Sequence, residues 1–246
     1  MSPPPSLSPG PVGLPPSPWS FADVVAAAQE VPVEDADDLI GAGADLEPGT
    51  LLAAYRAGVF PMEVAGLDVM GWWSPIERGV LELDALRVSR SLRRSMRQVM
   101  VSVDRDFAGV LVGCAQSGRP GDWITPEIGA AYTRLHELGW AHSVEVWSAG
   151  ALVGGLYGVA LGGLFAGESM FHVRTDASKV ALAALVEVLR SAPGPALVDV
   201  QWRTQHLATL GVHSLPRSAY LSRLPDLVAA PGPHWARWRH TWCPQV

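Results

Sequence analysis

Three polar side chains sit where the surrounding pattern is apolar, and they are the candidate chemistry of this chain. Glu168 interrupts Leu164-Phe165-Ala166-Gly167-Glu168-Ser169-Met170-Phe171, a run that otherwise reads as a buried strand. Asp199 and Gln201 lie two apart in Leu197-Val198-Asp199-Val200-Gln201, a spacing that puts both on one face of a strand. A buried carboxylate is costly unless a cation or hydrogen-bond donors meet it. Two partners stand open for Glu168. Lys179 would make it a structural ion pair, whereas a basic group on a substrate would make it part of a site shared with Asp199. Asp199 and Gln201 suit the orientation of a reacting amine. The amide accepts a hydrogen bond and the carboxylate carries the electrostatic part, because a carboxamide is a poor base. As plain structure the pair would instead be a strand-end cap and a surface amide.

Positioning these groups takes a hairpin, a helix and a third strand. Leu152 to Ala160 is apolar and glycine-rich, Gly162-Gly163 turns the chain, and Leu164 to Phe171 returns. Thr175 or Asp176 caps a helix whose Val180, Ala181, Ala184, Leu185 and Val188 form a buried stripe. Upstream, Asp106 caps a helix over 107–114. Thr125 and Pro126 open another, with Ile128, Tyr132, Leu135 and Leu138 on one face. Val101 to Val103 and His142 to Trp147 read as strands. This order predicts an α/β fold with a mixed sheet of acyltransferase type. Before it come a short helix stopped by Gly58, an extended Val59-Phe60-Pro61-Met62, and Trp72-Trp73. The chain divides into a tail over 1–18, a small N-terminal α/β domain over 19–78, a catalytic domain over 79–230 and a Trp/Arg-rich tail over 231–246. The first tail is rich in Pro, Ser and Gly without charge, so it is expected to be disordered. The last interleaves aromatics with basic groups, which suits either base stacking or a disordered end.

Arg87 to Arg97 holds five arginines and no acid. Ser89 caps a helix there, and Arg90, Arg93, Arg94 and Arg97 fall on one face at i, i+3, i+4 and i+7. Four like charges on one face repel unless an anion lies opposite, which favours phosphate over a solvated face. Adjacent Trp72 and Trp73 would point to opposite sides of a strand, one into the core and one toward a partner, or both would pack between two domains.

Bulk features exclude whole classes. Hydrophobic content of 48% with 17% charged residues indicates a folded chain. A net charge of −6 argues against nonspecific coating of nucleic acid, though it allows a local basic patch. The longest apolar runs fall short of a membrane span, and no secretory pattern opens the chain. Cys114 and Cys243, far apart, read as free thiols in a reducing cytoplasm. There is no phosphate-binding Gly-x-x-x-x-Gly-Lys loop, no dinucleotide fingerprint and no Gly-x-Ser-x-Gly elbow. No His or Cys pair has zinc spacing, so neither metal nor cofactor is expected.

Longer motifs carry a resemblance. Trp123-Ile124-Thr125, Tyr132-x-x-Leu135-His136-x-x-Gly139-x-Ala141-His142-Ser143-x-Glu145-Val146-Trp147 and Gly154-Gly155-x-Tyr157-Gly158-Val159 are similar to leucyl/phenylalanyl-tRNA–protein transferases. So are Phe165-x-Gly167-Glu168-Ser169-Met170-Phe171, Ala177-Ser178-Lys179 and Asp199-x-Gln201, together with Gly58-Val59-Phe60-Pro61, Trp72-Trp73-Ser74-Pro75 and Ser89-Arg90-Ser91. The resemblance implies a small N-terminal domain and a C-terminal GNAT-like acyltransferase domain in a cytoplasmic, monomeric bacterial enzyme. It implies transfer of Leu or Phe, less well Met, from aminoacyl-tRNA to the N-terminal Arg or Lys of acceptor proteins, creating a degradation signal. Gln201, Asp199 and Glu168 would then be catalytic. Leu156, Phe165, Met170 and Leu185 would form the amino-acid pocket. Trp72, Trp73, Trp123, Thr125 and the four arginines would hold the tRNA acceptor stem and terminal adenosine. An aminoacyl ester is already activated, so the reaction needs no ATP, metal or other cofactor. The alternatives are an acyl-CoA-dependent N-acyltransferase of the same fold and a noncatalytic RNA-binding protein.

Overall fold

A computed structural model describes residues 11–32, 34–67, 69–116 and 124–245. Most of the expected first tail and Trp123 lie outside the described residues. The chain opens with α1 (Phe21–Glu30), β1 (Leu39–Ala42), α2 (Pro48–Arg56), β2 (Phe60–Glu63) and β3 (Met70–Trp73), and these strands pair antiparallel in the order β1-β3-β2. Proline at the start of α2 supplies a preset helical φ, and Gly58 takes the left-handed turn (φ 79°) that follows its end.

The larger unit comprises β4 (Glu77–Glu82), α3 (Arg90–Met96), β5 (Met100–Val103), α4 (Phe107–Ala115), α5 (Pro126–Glu137), β6 (Ala141–Ser148) and β7 (Ala151–Leu161). It continues with β8 (Leu164–His172), α6 (Ala177–Arg190), β9 (Leu197–Asp199), α7 (Gln205–Thr209), β10 (His213–Pro216) and α8 (Arg217–Ala229). The seven strands run β10-β4-β9-β8-β7-β6-β5, antiparallel throughout except for the parallel pair β8–β9. The fold is therefore α/β with a mixed sheet and a small N-terminal unit, as the order of elements predicts. Glu77–Glu82 already belongs to the large sheet. The stretch after Gln201 contributes an edge strand, β10, and two helices, α7 and α8.

Alternation along the strands gives the sheet two apolar faces. Tyr157 and Val159 join one core with α2, α4, α5 and α8; Leu156 and Ala160 join the other with α3 and α6. The predicted stripe of α6 is buried, but so are Leu182, Ala183, Val186 and Leu189. An apolar residue on every side of a helix requires cover on every side. Here α3, the 3-10 turn at Leu83–Ala85 and the C-terminal segment provide it. Asp176 occupies the cap position of α6, yet its carboxylate makes no cap bond; it accepts instead from Lys179 Nζ (2.8 Å) and Ser95 Oγ (3.0 Å).

Both terminal stretches are tied to the body of the protein by specific contacts. Val12 donates to the Leu138 carbonyl and accepts from Trp140 Nε1, so residues near 12 lie on the end of α5. At the other end, Trp242 exchanges two backbone hydrogen bonds with Val101 (2.8 and 2.9 Å) and covers the β5 edge.

Candidate active site

Strands β8 and β9 stay together only from Leu164–Ala166 against Leu197–Asp199; β9 then ends while β8 runs on. A β-bulge bends β8 at this point. Tyr157 pairs with Ser169 but Gly158 pairs with Gly167, so Glu168 is the extra residue. The bulge also changes the parity of the strand. Phe165 and Met170, five apart, would face opposite sides of a regular strand; here both line one cavity of about 230 Å³ with Leu156 and Leu185. Glu168 and Gln201 line that same cavity. Gly158 is required beside the bulge, since a Cβ there would run into the Phe165 ring and the Ala166 carbonyl.

Gln201 is not on the strand face with Asp199, contrary to the sequence expectation. β9 ends at Asp199, and Gln201 takes a left-handed conformation (φ 58°). Gly79 forces the turn: its N–H donates to the Gln201 carbonyl, and its carbonyl accepts from Val200, each at 2.9 Å. A Cβ at position 79 would lie 2.7 Å from the backbone of Trp202 and Arg203, so only glycine lets this loop approach. Asp199 consequently stays behind the cavity wall, fully buried. Arg78 Nε and Nη2 grip its two oxygens at 2.8 and 2.6 Å, and Tyr220 donates at 2.9 Å. The Gln201 backbone N–H adds a fourth bond at 3.0 Å. Burial opposes the charge on Arg78, but the carboxylate outweighs it and raises the guanidinium pKa.

Among the described residues Glu168 has hydrogen-bond donors but no ion pair. Lys179, the structural partner that the sequence offered, is bound to Asp176 instead. Tyr132 donates to Glu168 Oε2 at 2.9 Å, Tyr55 shares a 2.5 Å bond with Tyr132, and Gln201 Nε2 lies 3.4 Å from Oε1. The tyrosines belong to the core on one side of the sheet and the cavity to the other, so the carboxyl sits in the opening between β8 and β9. Burial pushes its pKa up to about 7, although the tyrosine hydroxyls pull the other way.

Comparison with known proteins places the chain in a family. The sequence profile described as leucyl/phenylalanyl-tRNA protein transferase matches residues 80–225, and the profile of that family's N-terminal domain matches residues 44–76. The leucyl/phenylalanyl-tRNA–protein transferase of Aromatoleum aromaticum is 48% identical over 226 residues, covering 90% of this chain and 94% of that protein. The protein of the same name from Stutzerimonas stutzeri is 52% identical over 199 residues, covering 79% and 87%. This chain belongs to that family. Among solved structures, L-PGS from Bacillus licheniformis shares 14% identity at a TM-score of 0.38, over 66% of this chain and 54% of that one, too distant to bear on function.

As a leucyl/phenylalanyl-tRNA–protein transferase family member the chain is an aminoacyltransferase, and its remaining candidate residues fall in three places. Arg90, Arg93, Arg94 and Arg97 are exposed on α3 and its end, and none has a carboxylate partner among the described residues; Ser89 caps the helix through its hydroxyl. Trp72 is core rather than a stacking surface: its ring packs edge-on to Phe21 and its indole N–H donates to the Gly43 carbonyl. Trp73 is half-buried against Trp202 and donates to the Met62 carbonyl. Thr125 caps α5, accepting from Ile128 N. Sequence reading missed Arg78, Tyr55, Tyr132 and Tyr220. The one available sign was Arg78 itself, a lone cation opening Gly79-Val80-Leu81, which as a buried strand position required a carboxylate. Among the described residues no set of three or more His, Cys, Asp and Glu could hold a metal, and no helix is long and apolar enough to cross a membrane.

Proposed function

We propose that this enzyme moves leucine or phenylalanine, and less readily methionine, from aminoacyl-tRNA to the N-terminal Arg or Lys of an acceptor protein, marking it for degradation. The observation that carries the reading is one cavity in which four apolar side chains meet a carboxyl and a carboxamide. Leu156, Phe165, Met170 and Leu185 offer an unbranched thioether among apolar walls, which adapts to both branched and aromatic side chains. The acceptor's neutral α-amine attacks the ester carbonyl, the C–O bond to the terminal ribose breaks, and the proton lost by the amine ends on the ribose oxygen. Gln201 accepts a hydrogen bond from the amine and holds it at the carbonyl carbon. Glu168, half-ionised near neutral pH, offers negative charge to the basic acceptor terminus. Asp199 is a positioning residue in this account. Already neutralised by Arg78, it fixes the turn that presents Gln201. The unpaired arginines of α3 suit the phosphates of the acceptor stem, a contact indifferent to base sequence.

Incubation with labelled Phe-tRNA and an Arg-initiated peptide, with acetyl-CoA in a parallel reaction, tests the reading. Label should enter the peptide from the tRNA alone. Incorporation only from acetyl-CoA would refute it in favour of an acyl-CoA-dependent enzyme, and stable RNA binding without transfer would leave a noncatalytic RNA-binding protein.

A further inference from the structure

A second cavity, of about 450 Å³, opens at the end of the sheet where β6 begins and β7 finishes. It shares no lining residue with the amino-acid cavity. Phe165 and Trp235, with ring centroids 5.8 Å apart, stand between the two, one lining each. The C-terminal segment that brings Trp235 here is the one whose interleaved aromatics and basic groups suit either base stacking or a disordered end in the sequence.

The charge of this second cavity is at odds with a chain of net charge −6. Arg56 and Arg239 line it with His136, His142 and His234, against the single carboxylate of Asp104. Asp104 is already committed: it accepts from His142 Nδ1 at 2.7 Å and Ser143 N at 3.1 Å, and lies 3.8 Å from His136. His142 in turn is stacked under Trp235 at 4.1 Å, and its Nε2 is buried with no partner among the described residues. Neither guanidinium has a carboxylate partner among the described residues. Arg56 lies 5.3 Å over the Trp140 ring, partly withdrawn from water, which lowers its pKa. A guanidinium with no carboxylate partner leaves its fork of donors open to an anion.

Guanidinium forks match carboxylate and phosphate oxygens. The space here is far larger than a carboxylate fills, it lies within the range of small-molecule sites, and two indoles border it. We propose that this cavity binds a nucleotide, with its phosphate between Arg56 and Arg239 and its sugar and base beside Trp140 and Trp235. The nucleotide is either free or one unit of an RNA strand; the recognition chemistry is the same.

Titration of the full chain with AMP and with inorganic phosphate, read by tryptophan fluorescence, tests this alongside anisotropy of a labelled single-stranded RNA over a salt series. The comparison is between the natural chain and an Arg56→Met/Arg239→Met pair. Both residues are exposed, so the melting temperature should hold; an Arg56→Lys/Arg239→Lys pair, which keeps the charge but loses the fork, serves if it does not. AMP affinity should fall about ten-fold or more in the methionine pair, and less in the lysine pair. The Arg93→Ala/Arg94→Ala variant should leave AMP affinity unchanged. Loss of AMP binding with unaltered RNA binding assigns the site to a free nucleotide. A salt slope for RNA reduced by about one, with AMP binding weak throughout, assigns it to an RNA strand. The proposal is overturned if AMP, phosphate and RNA binding are all the same in the natural chain and the methionine pair, or if none of them binds.

Discussion

Asp199 is a fully buried carboxyl and Glu168 a half-buried one that lines the cavity, and their surroundings do opposite things with them. Around Asp199, β4, β9 and α8 converge: a two-pronged guanidinium, a tyrosine and a backbone N–H fill both oxygens. Around Glu168, α5 offers a tyrosine hydroxyl and the loop after β9 an amide, but among the described residues no cation forms an ion pair with it. A carboxylate paired in this way is fixed in charge and geometry, so it serves as scaffold. One held by neutral donors, with a pKa near 7, can still gain or lose a proton in the working range of the enzyme. The sequence offered both carboxyls as candidates for the chemistry. The distribution of partners points to Glu168.

This contrast can be broken most forcibly at Arg78. Arg78→Met strands the Asp199 charge, and denaturant unfolding should register a loss of about 3–5 kcal/mol. A loss below ~1 kcal/mol would mean that the pair is not the scaffold described. Gln201→Ala should leave stability nearly intact while reducing kcat about 100-fold, the scale of a lost transition-state contact. Parallel loss of tRNA binding would instead indicate collapse of the loop.

Glu168→Gln sharpens the other half. A carboxyl whose pKa is raised to about 7 stabilises the fold below its unfolded value near 4.5 and loses that contribution as pH rises through 7. The natural chain should therefore weaken between pH 5 and pH 8 by on the order of 2–3 kcal/mol more than the glutamine variant. Glu145, also raised to about 7 by burial, titrates in both and cancels in the comparison. Parallel stability profiles would show that Glu168 is not held protonated by its surroundings. The smallest effect belongs to Tyr132→Phe. Removing a hydroxyl that favours the ionised form should push the Glu168 pKa further up, so the acid limb of the kcat/KM profile should move to higher pH. An unmoved limb would separate Glu168 from the rate.

Much of this was legible in the residues. Capping groups and apolar periodicity locate α3, α5 and α6, and the hairpin of β7 and β8 follows from its glycine-punctuated apolar runs. Leu156, Phe165, Met170 and Leu185, scattered over three elements, line one cavity. What remained hidden depends on pairings between distant segments. Asp199 meets Arg78 across 121 positions of sequence, and the left-handed turn at Gln201 exists because Gly79 admits the loop. No local pattern marks Tyr132 as anything but an apolar helix position, since its ring is core and only its hydroxyl is not. The two tryptophans were separable by strand alternation, but which of them was buried depended on α1 lying over that face.

The extra residue in β8 makes the hollow a matter of arithmetic. Any side chain may replace Glu168 and the strand still bends away from its parallel neighbour, so the space persists even when its chemistry is gone. Deleting that one position would remove the bend while leaving Phe165 and Met170 on one face of the strand, so the loss would be of shape alone.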